Sequence, residues 1–416
     1  MNDAKIVIDA FVADEMRVVV VEDGEVIEYD SESQDKISTK GNIYQGVIAK
    51  VERGLQACFI DYGFYKHGFL SFDELIPEAF LPLKNIDPNY SRKDFFDGLK
   101  VGDRLLVQVI KESRGDKGPS MTAKISLPGR FMVLMPFINQ IALSRKITEG
   151  EERDRIKALL SSLKLPKNMG LLGRTVAEGV TRIQMQRDLN FLLRQWYSIT
   201  HNIDLNSNAK FLHQDNEIAL RFIRDYYTPK IQEIWVDSET TYQKVSQYLS
   251  IILPRNHERL KLYTGKVPVF THFGIEGQIN ALYERKVPLR SGGSIVIDIT
   301  EAFISIDVNS GKMLDKRDIE GTSLQTNLEA SAEICRQLRL RDLGGIVVID
   351  FIDMKLKKNR IELERFLLKT LRKDKARTKV NRFSANGILT LTRQRIKPNV
   401  SFASHELCEN CNGTCQ

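Results

Sequence analysis

Apolar and polar residues alternate in short runs along the first third of the chain. KIVIDAFV and RVVVVEDGEVIEYD read as strands, and Asp23-Gly24 between alternating positions predicts a hairpin turn. Residues 42–127 hold a strand, a turn at Arg53-Gly54, a strand that runs into Asp61-Tyr-Gly, and a later strand in KVGDRLLVQVI. About five short antiparallel strands in this span predict a small barrel of the OB type. Further on the period changes. QMQRDLNFLLRQWYSITHN places Met185, Leu189, Leu192 and Trp196 on one face of a helix. Residues 215–280 alternate strand and helix, and are expected to close a sheet with the N-terminal hairpin. Residues 281–400 read as an α/β unit. Strands SIVIDIT and FISIDVNS lead to the helix QTNLEASAEICRQLRLRDL, with Gly344-Gly345 as its expected C-cap. IVVIDFID follows, near-continuously apolar, as expected of a strand covered on both faces. A basic helix and GILTLTRQR complete the unit.

The strand FISIDVNS raises a chemical question. Ile304, Ile306 and Val308 fall on one face; Ser305, Asp307 and Asn309 fall on the other. Asp350 interrupts IVVIDFID in the same way. A carboxylate inside such a strand is costly unless it is paired or binds a metal. If the two strands are neighbours, Asp307 and Asp350 converge at one sheet end. Hard oxygen ligands there suit Mg²⁺ or Mn²⁺. Asn309 shares the face of Asp307 and would orient a bound water. Asp353 would point the other way in a continuing strand. The competing reading pairs each acid with an arginine from RQLRLRD or TRQR.

Composition narrows the partner. A chain of 416 residues exceeds one ordinary core, so several domains are expected. With 42% apolar and 28% charged residues it reads as soluble and globular. The N-terminus lacks a basic segment followed by an apolar one, and no apolar run reaches the ~20 residues of a membrane span; the expectation is a cytoplasmic protein. Net charge is +7 with pI ≈ 9.0, which favours a polyanionic partner. Residues 355–382 hold twelve Lys/Arg against three Asp/Glu, and this concentration beside the second acid points to phosphate contacts. The same stretch carries the apolar stripe Leu363, Phe366, Leu367 and Leu371, which also fits a solvated helix face. There is no GxSxG elbow, HExxH or P-loop, and the six histidines are scattered, so those hydrolase and nucleotide-binding classes find no support.

Five cysteines divide into two groups. Cys58 lies in the strand pattern LQACFIDYG. Cys335 shares a helical stripe with Leu328, Ala332 and Leu338. Both read as inert core thiols. Cys408-Glu-Asn-Cys411 reads as half a zinc site, completed by His405 and Cys415 or by a CxxC of a second subunit. A redox pair would need a strand–helix context that ELCENCNGTCQ lacks. Phe59 and Phe69 fit the barrel core by spacing; an OB barrel also uses such rings as a platform for bases.

IDVNSG, then TNLEAxxEIxRQLRLRDLGGIVVIDFIDM, then LTRQR and CxxCxG resemble the bacterial ribonuclease E/G family, through nearly the whole chain and in the same order. The resemblance implies an α/β multidomain chain. A split RNase H-like subdomain would occupy 1–36 and 215–280, an inserted S1-type OB RNA-binding domain 37–125, and a 5′-sensor 126–214. A DNase I-like catalytic subdomain would occupy 281–400 and a zinc link 401–416. It implies catalysis by Asp307, Asn309 and Asp350, with Mg²⁺ on the two aspartates. RNA would be gripped by Phe59, Phe69 and Lys117, and a 5′-monophosphate by Gly129, Val133, Arg174 and Thr175. Zn²⁺ on Cys408 and Cys411 would join two protomers, and two such dimers a tetramer. The implied activity is Mg²⁺-dependent endonucleolytic cleavage of single-stranded, A/U-rich RNA in mRNA decay and rRNA/tRNA processing. Water would be the nucleophile, leaving 5′-phosphate and 3′-hydroxyl ends. The rival expectations are a non-catalytic RNA-binding scaffold and a metal-dependent phosphodiesterase acting on DNA. The sequence departs from the family pattern at Glu409, where proline is usual, and at Cys415, where glycine is expected. Residues 384–387 (SANG) lack the basic and bulky apolar residues expected there, and the chain stops where a small dimerising domain would continue.

Overall fold

The structure is a computed structural model that describes residues 3–11, 15–33, 38–81, 91–113, 117–147, 150–204, 208–215, 217–311, 319–384 and 387–396. Among these residues the fold is mixed α/β, built on four sheets. The first sheet has the strand order Leu260–Leu262, Ile231–Val236, Ala4–Asp9, Glu15–Glu22, Glu25–Ser33. Ala4–Asp9 runs parallel to Ile231–Val236, so the sheet expected between the two ends of this region forms. Asp23 and Gly24 both take positive φ (49° and 82°), the backbone that a tight hairpin between twisted strands requires.

The second sheet closes on itself. Ile43–Glu52, Ala57–Asp61, Gly68–Ser71, Ser120–Thr122 and Arg104–Lys111 form a ring, because Ile43–Glu52 also pairs with Arg104–Lys111. This closed five-stranded barrel is consistent with an OB fold. One pair differs from the antiparallel expectation: Gly68–Ser71 and Ser120–Thr122 are parallel. Tyr44, Ile48, Cys58, Ile60, Leu70, Leu105 and Met121 fill it. A four-stranded sheet of Ile141–Leu143, Met169–Gly173, Met132–Pro136 and Leu127–Pro128 follows. The helix Arg182–His201 packs on it through Met185, Leu189, Leu192 and Trp196, as the stripe predicts. Thr181 and Gln184 cap its start reciprocally.

The fourth sheet has the order Lys286–Pro288, Ser294–Ile299, Ile304–Asn309, Gly345–Asp350, Ile388–Arg393, Thr378–Val380. Helices Ile319–Leu340 and Lys357–Leu371 cover one face. Ile334, Cys335, Leu338, Leu363 and Leu367 pack there on Ile306, Val308, Val347, Ile349 and Leu389. The other face is open, with Ile346 51% exposed and Asp307 and Asp350 in solvent. Among the described residues IVVIDFID is therefore covered on one face only, and the strand ends at Asp350. An apolar run cannot distinguish one covered face from two when its outward residues are also apolar.

The helix before it ends at Leu340, earlier than Gly344-Gly345 would place it. Asp342 takes the left-handed conformation (φ 45°), and Leu343 N–H bonds Leu338 O at 3.0 Å while Asp342 N–H bonds Arg339 O at 3.2 Å. This is a Schellman ending with aspartate where glycine is usual. The carboxylate of Asp342 is held by Arg393 at 2.8 Å and by the Ile396 amide at 3.0 Å, which compensates the backbone strain. Within the same helix Ala330, Ile334 and Leu338 flank Cys335 in the core, whereas Ala332 is exposed.

Candidate active site

Ile304–Asn309 and Gly345–Asp350 are parallel neighbours, and Asp307 is the register partner of Asp350. Asp350 is the last residue of its strand and Asp307 stands shortly before the end of its own, both on the open face. Alternation explains why: Ile306, Val308 and Ile349 turn to the helices, so their neighbours turn to solvent. Asn309 Nδ2 donates to Asp307 Oδ2 at 2.9 Å, so the amide sits beside the carboxylate pair. Among the described residues, no lysine or arginine forms an ion pair with Asp307 or Asp350. The arginines that might have neutralised them are committed elsewhere. Arg393 is buried between Asp342 (2.8 Å) and Asp374 (2.7 Å). Arg336 pairs with Glu333 at 2.9 Å, Arg339 with Glu28 at 3.6 Å, and Arg341 bonds Gln337 and the Ala281 carbonyl. Two adjacent, exposed, unpaired carboxylates with an amide donor are a hard-oxygen set that fits Mg²⁺. Among the described residues, no cluster of three or more His, Cys, Asp or Glu side chains is arranged to hold a metal, so this pair would depend on water and substrate oxygens for the rest of the shell.

Two residues fix the end of the Asp350 strand, and neither stood out in the sequence. Asn327 is fully buried on the helix Ile319–Leu340. Its Nδ2 donates to Ile352 O at 2.8 Å and its Oδ1 accepts from Ile352 N at 3.0 Å. Glu320 accepts from the amides of Lys355 (3.1 Å) and Leu356 (2.9 Å) and from Asn359 Nδ2 (3.0 Å), anchoring the start of Lys357–Leu371. An asparagine on the apolar stripe of TNLEAS is the signal that would have found Asn327. Asp353 lies past the strand end and is exposed, with Oδ1 3.3 Å from where a Cβ on Gly387 would stand. Residues 384 and 387 thus border the same sheet end; 385 and 386 lie outside the described residues.

In the third sheet, Arg174 Nη1 donates to Gly129 O at 2.6 Å and Nη2 to Asp225 Oδ1 at 2.6 Å. Val133 is half-buried and pairs with Pro128 and Leu172, beside this contact. Thr175 follows Arg174, half-exposed at the start of a 3₁₀ turn. The turn at Gly129 is built on Asp188, a fully buried carboxylate that accepts from the amides of Arg130 (3.1 Å), Phe131 (2.7 Å) and Met132 (3.2 Å). Burial pushes the Asp188 carboxyl up, and these amides oppose the shift. A Cβ on Gly129 would lie 2.7 Å from Asp188 Oδ2, so glycine is required there. Asp225 is half-buried, and desolvation disfavours its charge, but Arg224, Arg174 and Lys375 outweigh that and hold it well below the usual carboxylate range. Lys375 comes from beyond the helix Lys357–Leu371. Its Nζ donates to Asp225 O and lies 3.0 Å from the Tyr226 ring centre. Lys146 returns the contact, donating to Asp374 O and Lys375 O at 2.9 and 2.7 Å. Asp225 and Lys375 escaped the sequence reading because they are remote from Arg174 in the chain.

On the barrel, Phe59 and Phe69 are cross-strand partners whose ring centres are 6.0 Å apart at 74°. They face outward while Cys58, Ile60 and Leu70 face inward, and Phe69 is 36% exposed. The spacing expectation of core is thus corrected: a period of two says which residues share a face, not which face is inside. Lys117 is exposed, and Gly118 abuts the His67 backbone at the end of the same hairpin. Cys408 and Cys411, with His405 and Cys415, lie outside the described residues. Cys58 and Cys335 are both buried, and burial raises their thiols to about 11 and about 12. No helix among the described residues is long and apolar enough to cross a membrane.

The model of the Ribonuclease E/G family matches residues 126–396, which include Arg174 and the aspartate pair. The chain is 42% identical to Ribonuclease E of Haemophilus influenzae over 99% of its own length and 44% of that protein. It is 40% identical to Ribonuclease E of Escherichia coli K12, over 99% of this chain and 38% of the relative. It is 34% identical to Ribonuclease G of the same organism, over 95% of this chain and 80% of the relative. The chain thus spans less than half the length of these Ribonuclease E relatives. With a family model covering more than half of it and a relative matched along most of both lengths, this chain belongs to the Ribonuclease E/G family.

Proposed function

We propose that this chain is a Mg²⁺-dependent endoribonuclease acting on single-stranded, A/U-rich RNA. The observation that carries the reading is the register pairing of Asp307 with Asp350, exposed and without a cationic partner among the described residues, with Asn309 bonded to Asp307. Asp307 and Asp350 would hold the metal. Mg²⁺ there supplies Lewis-acid stabilisation of phosphate charge and a more acidic water. Asn309 would orient the water for attack on phosphorus in line with the P–O3′ bond; that bond breaks, the 3′-oxygen leaves as the hydroxyl, and the products carry 5′-phosphate and 3′-hydroxyl ends. Phe59 and Phe69 offer faces for bases and Lys117 a charge for the backbone. Arg174 and Thr175 favour a 5′-monophosphate, which would compete with Asp225 for the guanidinium fork. A CxxC supplies two thiolates, half of a tetrahedral zinc shell, so Cys408 and Cys411 would be completed by a second protomer.

The test is cleavage of a short 5′-monophosphorylated A/U-rich RNA with Mg²⁺. Wild type should cut, and Asp307→Asn should lose at least about 100-fold in rate, the order seen when one key electrostatic group is removed. Equal cleavage by both variants, or products ending in 2′,3′-cyclic phosphate, would refute the site. Arg174→Ala should lower the rate on 5′-monophosphate RNA toward that on 5′-triphosphate RNA; an unchanged ratio would remove the sensor assignment.

A further inference from the structure

At the tip of the hairpin that carries Phe59 and Phe69, the barrel has an open end. Tyr44 and Tyr62 form its floor, ring centres 5.1 Å apart, both nearly buried. Phe64 stacks on Tyr62 at 4.8 Å and Phe211 meets Tyr44 edge-on at 5.5 Å. Phe64 and Phe211 are nonetheless 52% and 51% exposed. Both line a cavity of about 430 Å³, within the size range of small-ligand sites. Asn42, Thr39 and Gln214 supply polar groups to its rim, Lys210 supplies a cation, and among the described residues no carboxylate lines it. Folding alone gives no reason for two half-exposed phenylalanines over a floor that tyrosines already close. A flat ligand with π faces, polar edges and a negative backbone matches each of these features.

We propose that this barrel mouth is a second nucleobase subsite, in which one base of single-stranded RNA enters between Phe64 and Phe211 and its edge meets the polar rim. The proposal rests on the reading of Phe59 and Phe69 as an RNA platform, and extends it around the tip of one hairpin. Tyr62 and Tyr44 would set the depth of the slot. Lys210 and the hairpin's Lys66 would lie toward the phosphates.

The experiment is binding of a fluorescein-labelled single-stranded decamer to the full chain in chelator, which prevents cleavage. Phe64→Ala and Phe211→Ala should each weaken binding by about 5- to 100-fold, the range for loss of one base–aromatic stack. The slope of log affinity against log salt should not change, because no phosphate contact is removed. Phe64→Leu keeps apolar bulk without the π face and should weaken binding as alanine does. Wild-type affinity in both alanine variants, or full rescue by leucine, would overturn the subsite. Phe59→Ala separates the two readings. If it weakens binding while Phe64→Ala and Phe211→Ala do not, the platform stands and the mouth is not a subsite. If none of the three weakens binding, both readings fall.

Discussion

Arg393 offers a direct measure of how the fourth sheet is held. Its side chain is 2% exposed and makes four hydrogen bonds. Nε and Nη2 reach Asp374 at 2.7 and 3.3 Å; Nη1 reaches Asp342 at 2.8 Å and Leu343 O at 2.9 Å. Replacing it with methionine keeps much of the volume and leaves two buried carboxylates, 8% and 3% exposed, without their cation. Breaking a buried pair in this way costs roughly 3–5 kcal/mol. Summing three charged hydrogen bonds at about 1.5–3 kcal/mol each gives a larger figure, but the bonds share one group and do not add. At about 1.4 kcal/mol per decade the loss is two to four decades in the opening equilibrium. Hydrogen exchange followed by mass spectrometry on Ile388–Arg393 and Gly345–Asp350 reads that equilibrium directly. Arg393→Met should speed exchange in both strands by about 100- to 5000-fold. Arg393→Lys retains the charge but not the fork, and should fall between. The register places Arg393 opposite Gly345, while Asp350 lies opposite Ile388 at the other end. Residual RNA cleavage per folded molecule should therefore stay near wild type. Exchange within tenfold of wild type in Arg393→Met would refute the argument that this triad secures the sheet.

Gly129→Ala would drive a Cβ against the Asp188 carboxylate and Leu192 Cδ1, at 2.7–2.8 Å. We expect a loss of about 1–3 kcal/mol, read as a lower thermal midpoint, together with loss of 5′-monophosphate preference. Asp237 is raised to about 6 by burial and by the neighbouring Asp9, against the opposing Ala10 amide. Its proton is retained in the folded state between the unfolded carboxyl value near 4 and about 6. Wild-type stability from this group is therefore full below about 4 and is lost as pH rises through 6. Asp237→Asn should gain on wild type by of order 1 kcal/mol between pH 5 and 7, after allowance for solvent screening; a constant difference across that range in denaturant titrations would refute this. Cys58 and Cys335, raised to about 11 and about 12 by burial, should resist iodoacetamide at pH 8 in the folded protein and react on unfolding, as peptide mapping would show.

Local periodicity and turn chemistry, which act over a few residues, were legible in the sequence. The hairpin at Asp23-Gly24, the helix stripe at Met185, Leu189, Leu192 and Trp196, and the shared face of Asp307 and Asn309 all follow from spacing. Spacing could not say which face of a strand is buried. Phe59 and Phe69 turn outward because Cys58, Ile60 and Leu70 fill a barrel whose closure depends on the distant strand Arg104–Lys111. It could not say where an arginine goes. Arg393 answers to Asp342 and Asp374, and that leaves Asp307 and Asp350 free of it, because three segments meet only when the sheet is assembled. The contact of Lys375 with Asp225 is the same kind of event across 150 residues. Patterns short enough to be set by backbone geometry were written in the chain; the pairing of charges and the choice of inside and outside were decided by packing, which burial and long-range contacts alone determine.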